Sequence, residues 1–90
     1  MKIKIEMYTK TVCPYCVRAK NIFKLKGFTE ITEYNIETNS EFKKEMLKRV
    51  PSARTVPQIF INDELVEGGC EGLMNLDAQG KLDTMLGLSK

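Results

Sequence analysis

Ninety residues, 42% hydrophobic and 29% charged, suit one compact core, so a single domain over residues 1–90 is expected. Fourteen basic and twelve acidic residues leave a formal charge of +2, too slight to point to a nucleic-acid partner. Three cysteines, an odd number, argue against a secreted disulfide scaffold, and no stretch reaches the roughly 20 apolar residues that span a bilayer.

Histidine is absent, which excludes a Cys–His nucleophile pair and the commonest zinc ligand. The amino end, Met1 to Glu6, alternates in charge and does not read as a signal peptide. A reducing cytoplasm is therefore expected, where a C-x-x-C pair is catalytic or metal-binding more often than structural.

Ile3, Ile5 and Met7 alternate with Lys4 and Glu6, the period of a strand. Tyr8 to Val12 then lead over its carboxyl end, where open α/β sheets tend to bind ligands. Pro14 fits the first position of a helix, because its missing N–H is one that a helix leaves unpaired anyway. Cys13 thus falls at or beside the N-cap, close to unpaired N–H groups and about half a positive elementary charge. A thiol there ionises more readily, and the thiolate is the nucleophile.

The helix is expected to bury Cys16, Ala19, Ile22 and Phe23 and to end at Gly27, with Leu25 off the stripe. Ile31–Ile36 reads as a second strand. Thr38 and Glu41 resemble a capping box for a second helix, with Phe42, Met46, Leu47 and Val50 on one face. Glu45 and Arg49 are spaced for an i,i+4 pair worth about 0.3 kcal/mol. Pro51 stops that helix.

Gln58–Ile61 and Leu65-Val66 flank an Asn62-Asp63 turn and form a hairpin. Cys70 to Ala78 suit a third helix with Leu73, Met74 and Leu76 inward and Gly80 as its stop. Leu82, Met85, Leu86 and Leu88 suit one or two more helical turns. The order β-α-β-α-β-β-α, with a right-handed parallel unit and a terminal hairpin, predicts a thioredoxin-like three-layer α/β sandwich: a four-stranded mixed sheet flanked by helices.

C-x-x-C after a strand and opening a helix is a thioredoxin-like redox motif. Here Cys13-Pro14-Tyr15-Cys16, Thr55-Val56-Pro57-Gln58-Ile59-Phe60 and Gly68-Gly69-Cys70 occur in that order. The chain resembles the dithiol glutaredoxins over essentially its whole length. That resemblance implies a glutathione–disulfide oxidoreductase, with glutathione as co-substrate and no metal expected. It implies that Cys13 attacks protein disulfides or protein–glutathione mixed disulfides, and that Cys16 resolves what Cys13 attacks. Clients would be disulfide-bearing or glutathionylated proteins, including ribonucleotide reductase as for some relatives. A monomer with no nucleic-acid or membrane partner is expected.

The same resemblance supplies a binding site. Val56 would pair its backbone with the cysteinyl unit of glutathione, between Thr55 and Pro57, and the Val56–Pro57 bond is cis in relatives. Lys10 and Lys44 match positions that meet the glycyl carboxylate, and Tyr15 flanks the groove. The N–H groups of Cys70 and Glu71, after Gly69, would hold the γ-glutamyl carboxylate at a helix N-terminus. Relatives commonly carry an aspartate where this chain has Gly72; Glu71 is the nearest carboxylate.

Other readings compete. Cys13, Cys16 and Cys70 supply three sulfurs to a zinc site that lacks a fourth ligand. A related chain reduced by thioredoxin reductase uses the same chemistry. An iron–sulfur cluster carrier would use a monothiol Cys-Gly-Phe-Ser motif, whereas Pro14 and Cys16 favour dithiol cycling. Cys70 is either a buried, inert residue or a third reactive thiol.

Overall fold

The alternation at the amino end becomes β1 (Ile5–Thr9), an inner strand of a four-stranded sheet, in the computed structural model, which describes residues 3–88. Met1 and Lys2, read above with the amino end, lie outside those residues. After β1 come α1 (Pro14–Leu25), β2 (Thr32–Asn35), α2 (Ser40–Arg49), β3 (Gln58–Ile61), β4 (Glu64–Val66), α3 (Gly69–Ala78) and α4 (Lys81–Met85). The sheet order is β2-β1-β3-β4, with β1 parallel to β2 and antiparallel to β3, and β3 antiparallel to β4. Asn62 and Asp63 make the hairpin turn at φ of 51° and 67°, values that asparagine and aspartate tolerate better than most residues. This is the expected thioredoxin-like architecture, with α4 as the extra helical turns.

Each face of the sheet has its own core, because side chains alternate along a strand. On one face Ile5, Met7, Ile59 and Ile61 pack against Ala19 and Phe23 of α1, Leu73 of α3, and Leu82 and Leu86. On the other, Tyr8 and Phe60 pack against Met46 and Val50 at the end of α2. Glu6 shares that second face and is buried. Its carboxylate accepts hydrogen bonds from Arg49 Nη2 (3.1 Å), Arg49 Nη1 (3.3 Å) and the Tyr34 hydroxyl (2.8 Å). The Arg49 guanidinium lies 3.7 Å from the centre of the Phe60 ring.

Several local expectations yield to these contacts. Arg49 turns inward to Glu6 rather than along α2 to Glu45, since a buried carboxylate without a partner costs far more than a surface pair returns. Asn39, not Thr38, caps α2: its Oδ1 accepts from Glu41 N at 2.9 Å. Thr38 instead sits in a turn, its N–H and that of Glu37 donating to Asn35 Oδ1. Met74 is 45% exposed, because α3 offers the sheet a narrow face centred on Leu73. Leu47 is also exposed, whereas Leu25 stands in solvent as its place off the stripe requires. Gly27 ends α1 at positive φ, and Gln79 caps α3 one residue before Gly80. Among the described residues no helix is long and apolar enough to cross a membrane.

Candidate active site

β1 delivers the chain to the head of α1, where the two cysteines meet. Cys13 is the N-cap residue in extended backbone, and Pro14 opens the helix behind it. Cys13 Sγ accepts a hydrogen bond from Cys16 N at 3.2 Å, one of the N–H groups that a helix start leaves unpaired. Cys13 and Cys16 are joined as a disulfide, with Cα atoms 5.2 Å apart. Cys16 is buried and Cys13 half-buried, so a reagent from solvent reaches Cys13 first. The loop before Cys13 is held by Thr11, whose N–H donates to Glu37 Oε1 (2.9 Å) and whose hydroxyl accepts from Asn35 Nδ2 (3.2 Å).

Two hollows meet along the segment from Thr55 to Pro57. Cys13 Sγ lies 4.0 Å from the Val56 carbonyl oxygen, and the Val56–Pro57 bond is cis. One hollow, about 290 Å³, lies between Tyr15, Thr55–Pro57 and the Gly68–Glu71 turn. The other, about 380 Å³, shares Thr55 and Val56 and is bordered by Lys10, Lys43 and Arg54. An extended ligand laid along Val56 would therefore have a helix N-terminus at one end and three cationic side chains at the other. A larger hollow of about 500 Å³, between Ile5, Phe28 and Leu86, contains no cysteine.

Lys10, Tyr15, Thr55, Val56, Pro57, Gly69, Cys70 and Glu71 all border these hollows. Lys44 lies elsewhere, exposed on α2 and paired with Glu41 at 3.4 Å. Lys43 and Arg54 stand at the cationic end and were not among the expected residues. Lys43 precedes Met46 by three residues and Leu47 by four, so helical spacing puts it on their face; that signal was present in the sequence.

One glycine brings α3 this close, and a second leaves no room for a side chain in its first turn. A Cβ on Gly69 would stand 2.8 Å from the Pro57 carbonyl oxygen, nearer than real Cβ contacts come. A Cβ on Gly72 would run into the Glu67 carbonyl oxygen. With this backbone position 72 has no room for a side chain. Among the described residues no group of three or more Cys, Asp or Glu is placed to hold a metal ion.

The glutaredoxin family model matches residues 5–66. The chain belongs to the glutaredoxin family. It is 46% identical over 82 residues to glutaredoxin 3 of Escherichia coli K12, covering 91% of this chain and 95% of that protein. A probable glutaredoxin of Synechocystis is 43% identical over 86 residues, covering 96% and 77%. Among solved structures, the buckwheat glutaredoxin–glutathione complex superposes with a TM-score of 0.80 at 30% identity, over 94% of this chain and 77% of that one. Glutaredoxin from Brucella melitensis gives 0.76 at 40% identity, over 97% and 91%.

Family and fold together make this glutaredoxin a thiol–disulfide oxidoreductase. Cys70, the third thiol, is 4% exposed, and burial pushes its thiol up from the ordinary value, which keeps it protonated near neutral pH. Cys70→Ser retains the backbone N–H and should leave disulfide reduction within about twofold of the parent, a substitution away from the reacting thiols. A coupled disulfide-reduction assay checks this, and loss of most activity would give Cys70 a redox role.

Proposed function

We propose that this chain reduces protein disulfides and protein–glutathione mixed disulfides with glutathione as the reductant, in the cytoplasm. The observation that carries the proposal is the pair of hollows meeting at Val56, one ending on the N-terminus of α3 and the other on Lys10, Lys43 and Arg54. Glutathione is an extended tripeptide with a carboxylate at each end. A helix start accommodates one carboxylate and a cluster of cations the other. That a buckwheat relative was crystallised with glutathione supports the same reading.

In the proposed cycle the Cys13 thiolate attacks a client disulfide and the client leaves as a thiol. Cys16, one helical turn in, then attacks Cys13 and releases the second client sulfur. The product is the Cys13–Cys16 disulfide, the state seen here. Glutathione thiolate next attacks Cys13, and a second glutathione frees it as the thiolate.

The test couples the chain to NADPH oxidation through glutathione and glutathione reductase, with a parallel arm using thioredoxin reductase alone. Turnover in the first arm is expected. Turnover confined to the second would replace glutathione as the electron donor.

Glu71 is exposed at the first turn of α3, beside the cleft, and in this reading its carboxylate would meet the glutathione ammonium. Glu71→Gln should raise KM for glutathione severalfold, since a partly exposed charged hydrogen bond is worth about 1 kcal/mol. The pH dependence of Cys13 alkylation should stay as in the parent. Unchanged kinetics with glutathione would remove Glu71 from the site.

A further inference from the structure

A fourth hollow, about 350 Å³, is bordered by Cys13 and Cys16 themselves and by no residue of α3. Cys16, otherwise buried, borders it, as do Lys10, Lys20 and Glu33. Lys20 follows Cys16 by one turn of α1, which places the two side chains as neighbours roughly 6 Å apart at Cβ. Its Nζ lies 3.2 and 3.3 Å from the two Glu33 carboxylate oxygens, and Glu33 stands on β2, across the hollow. Arg18 lies over the Tyr15 ring, at 5.7 Å, on the flank that faces Cys70. The charged groups facing Cys16 in this hollow are thus Lys20 from its own helix, Glu33 from β2 and Lys10 from the end of β1.

We propose that Lys20 stabilises the negative charge that Cys16 acquires when the disulfide is opened, and that Glu33 limits this effect by holding Lys20 in an ion pair. The step is ordinary exchange. A reductant thiolate attacks Cys13 Sγ and a new S–S bond forms there. The Cys13–Cys16 bond breaks, its electron pair goes to Cys16, and Cys16 leaves as a thiolate that later takes a proton from solvent. A second reductant thiol then frees Cys13, leaving the pair as dithiol and the reductant as disulfide. Leaving-group acidity speeds such exchange, so a cation beside Cys16 accelerates reduction and a carboxylate on that cation tempers it. The same charge favours the Cys16 thiolate when it resolves a mixed disulfide. Glu33 is in this sense a positioning residue, acting through Lys20. The inference rests on exchange at Cys13 and Cys16 and stands whether or not glutathione is the reductant.

The test isolates Cys16. In a Cys13→Ser, Cys70→Ser background it is the chain's one remaining thiol, and thiolate absorbance near 240 nm follows its titration. Lys20→Gln should raise the midpoint by about half a unit, the scale for two unit charges roughly 6 Å apart in water. Lys20→Arg should restore it, and Glu33→Gln should lower it. In the full-cysteine chain, Lys20→Gln should slow reduction of the disulfide by dithiothreitol about twofold, given a Brønsted dependence near one half, and less so at high salt. Coincident midpoints for Lys20→Gln and the parent, or a shift in Lys20→Arg as large as in Lys20→Gln, would overturn the proposal. Dithiothreitol keeps the outcome independent of glutathione: a chain that glutathione cannot reduce refutes the proposed donor and leaves this measurement intact.

Discussion

Cys13→Ser should lose turnover on every disulfide substrate, by on the order of a thousandfold or more, because the attacking atom is gone and the site offers no second nucleophile to solvent. The half-buried position at the N-cap, with the Cys16 N–H aimed at its sulfur, is what separates Cys13 from the two buried cysteines. Cys16→Ser should behave differently. It should retain reduction of glutathione mixed disulfides, which needs only one thiol, and lose reduction of protein disulfides, which needs a resolving partner. Measuring both substrates across the two variants separates the roles, and full activity in Cys13→Ser would overturn the mechanism.

Arg49→Leu should cost about 3–5 kcal/mol of stability, the scale for removing one partner from a buried ion pair, and lower Tm by at least about 10 °C. The loss comes from what remains: a Glu6 carboxylate under α2 without the guanidinium that compensates its burial. Burial on its own pushes the Glu6 carboxyl up, but the Arg49 and Tyr34 hydrogen bonds and the charges of Arg49 and Lys4 outweigh it and hold the group below its ordinary value. A carboxyl depressed in the fold stabilises it above the unfolded value, and that contribution is lost as pH falls through the folded value. The parent and Arg49→Leu should therefore differ most near pH 7, begin to converge as pH falls below the unfolded value of about 4, and meet only below the parent's folded value, where Glu6 is protonated in every state. Thermal melts across that range decide it; a constant difference at all pH values would mean that Arg49 contributes through packing on Phe60 and not through Glu6. Tyr34 belongs to the same network, with burial and then its bond to Glu6 pushing the phenol up to about 12.

Much of the fold was legible because its signals are short-ranged. Pro14 after a cysteine, Gly27 after an apolar stripe and Asn62-Asp63 between two apolar runs each act through residues one to four apart. Those distances belong to caps and turns. The cysteine pair at a helix start was readable for the same reason. Where two local signals competed, the sequence left the outcome open. Thr38 and Asn39 are both good caps, and Asn35, by taking the N–H groups of Glu37 and Thr38 into its own turn, left Asn39 to cap α2.

The site was legible in part. The Thr55–Pro57 and Gly68–Glu71 segments were located by their resemblance to the glutaredoxin family, and they do border the cleft beside Cys13. Lys44, matched by motif, does not border the hollow that Lys43 lines, because a step of one residue turns a side chain by 100° around α2.

Chain-local chemistry thus determined that a thiol would sit where a helix exposes its first N–H groups, since capping needs only the next few residues. Tertiary structure alone decided which charged groups meet and how close the surrounding loops come. Glu6 meets Arg49 across 43 residues, Lys20 on α1 meets Glu33 on β2, and Gly69 lets α3 approach the Pro57 loop. Each of these depends on strand register and on which face a helix turns to the sheet. Both are set by burying the two cores together, so no single segment carries the information.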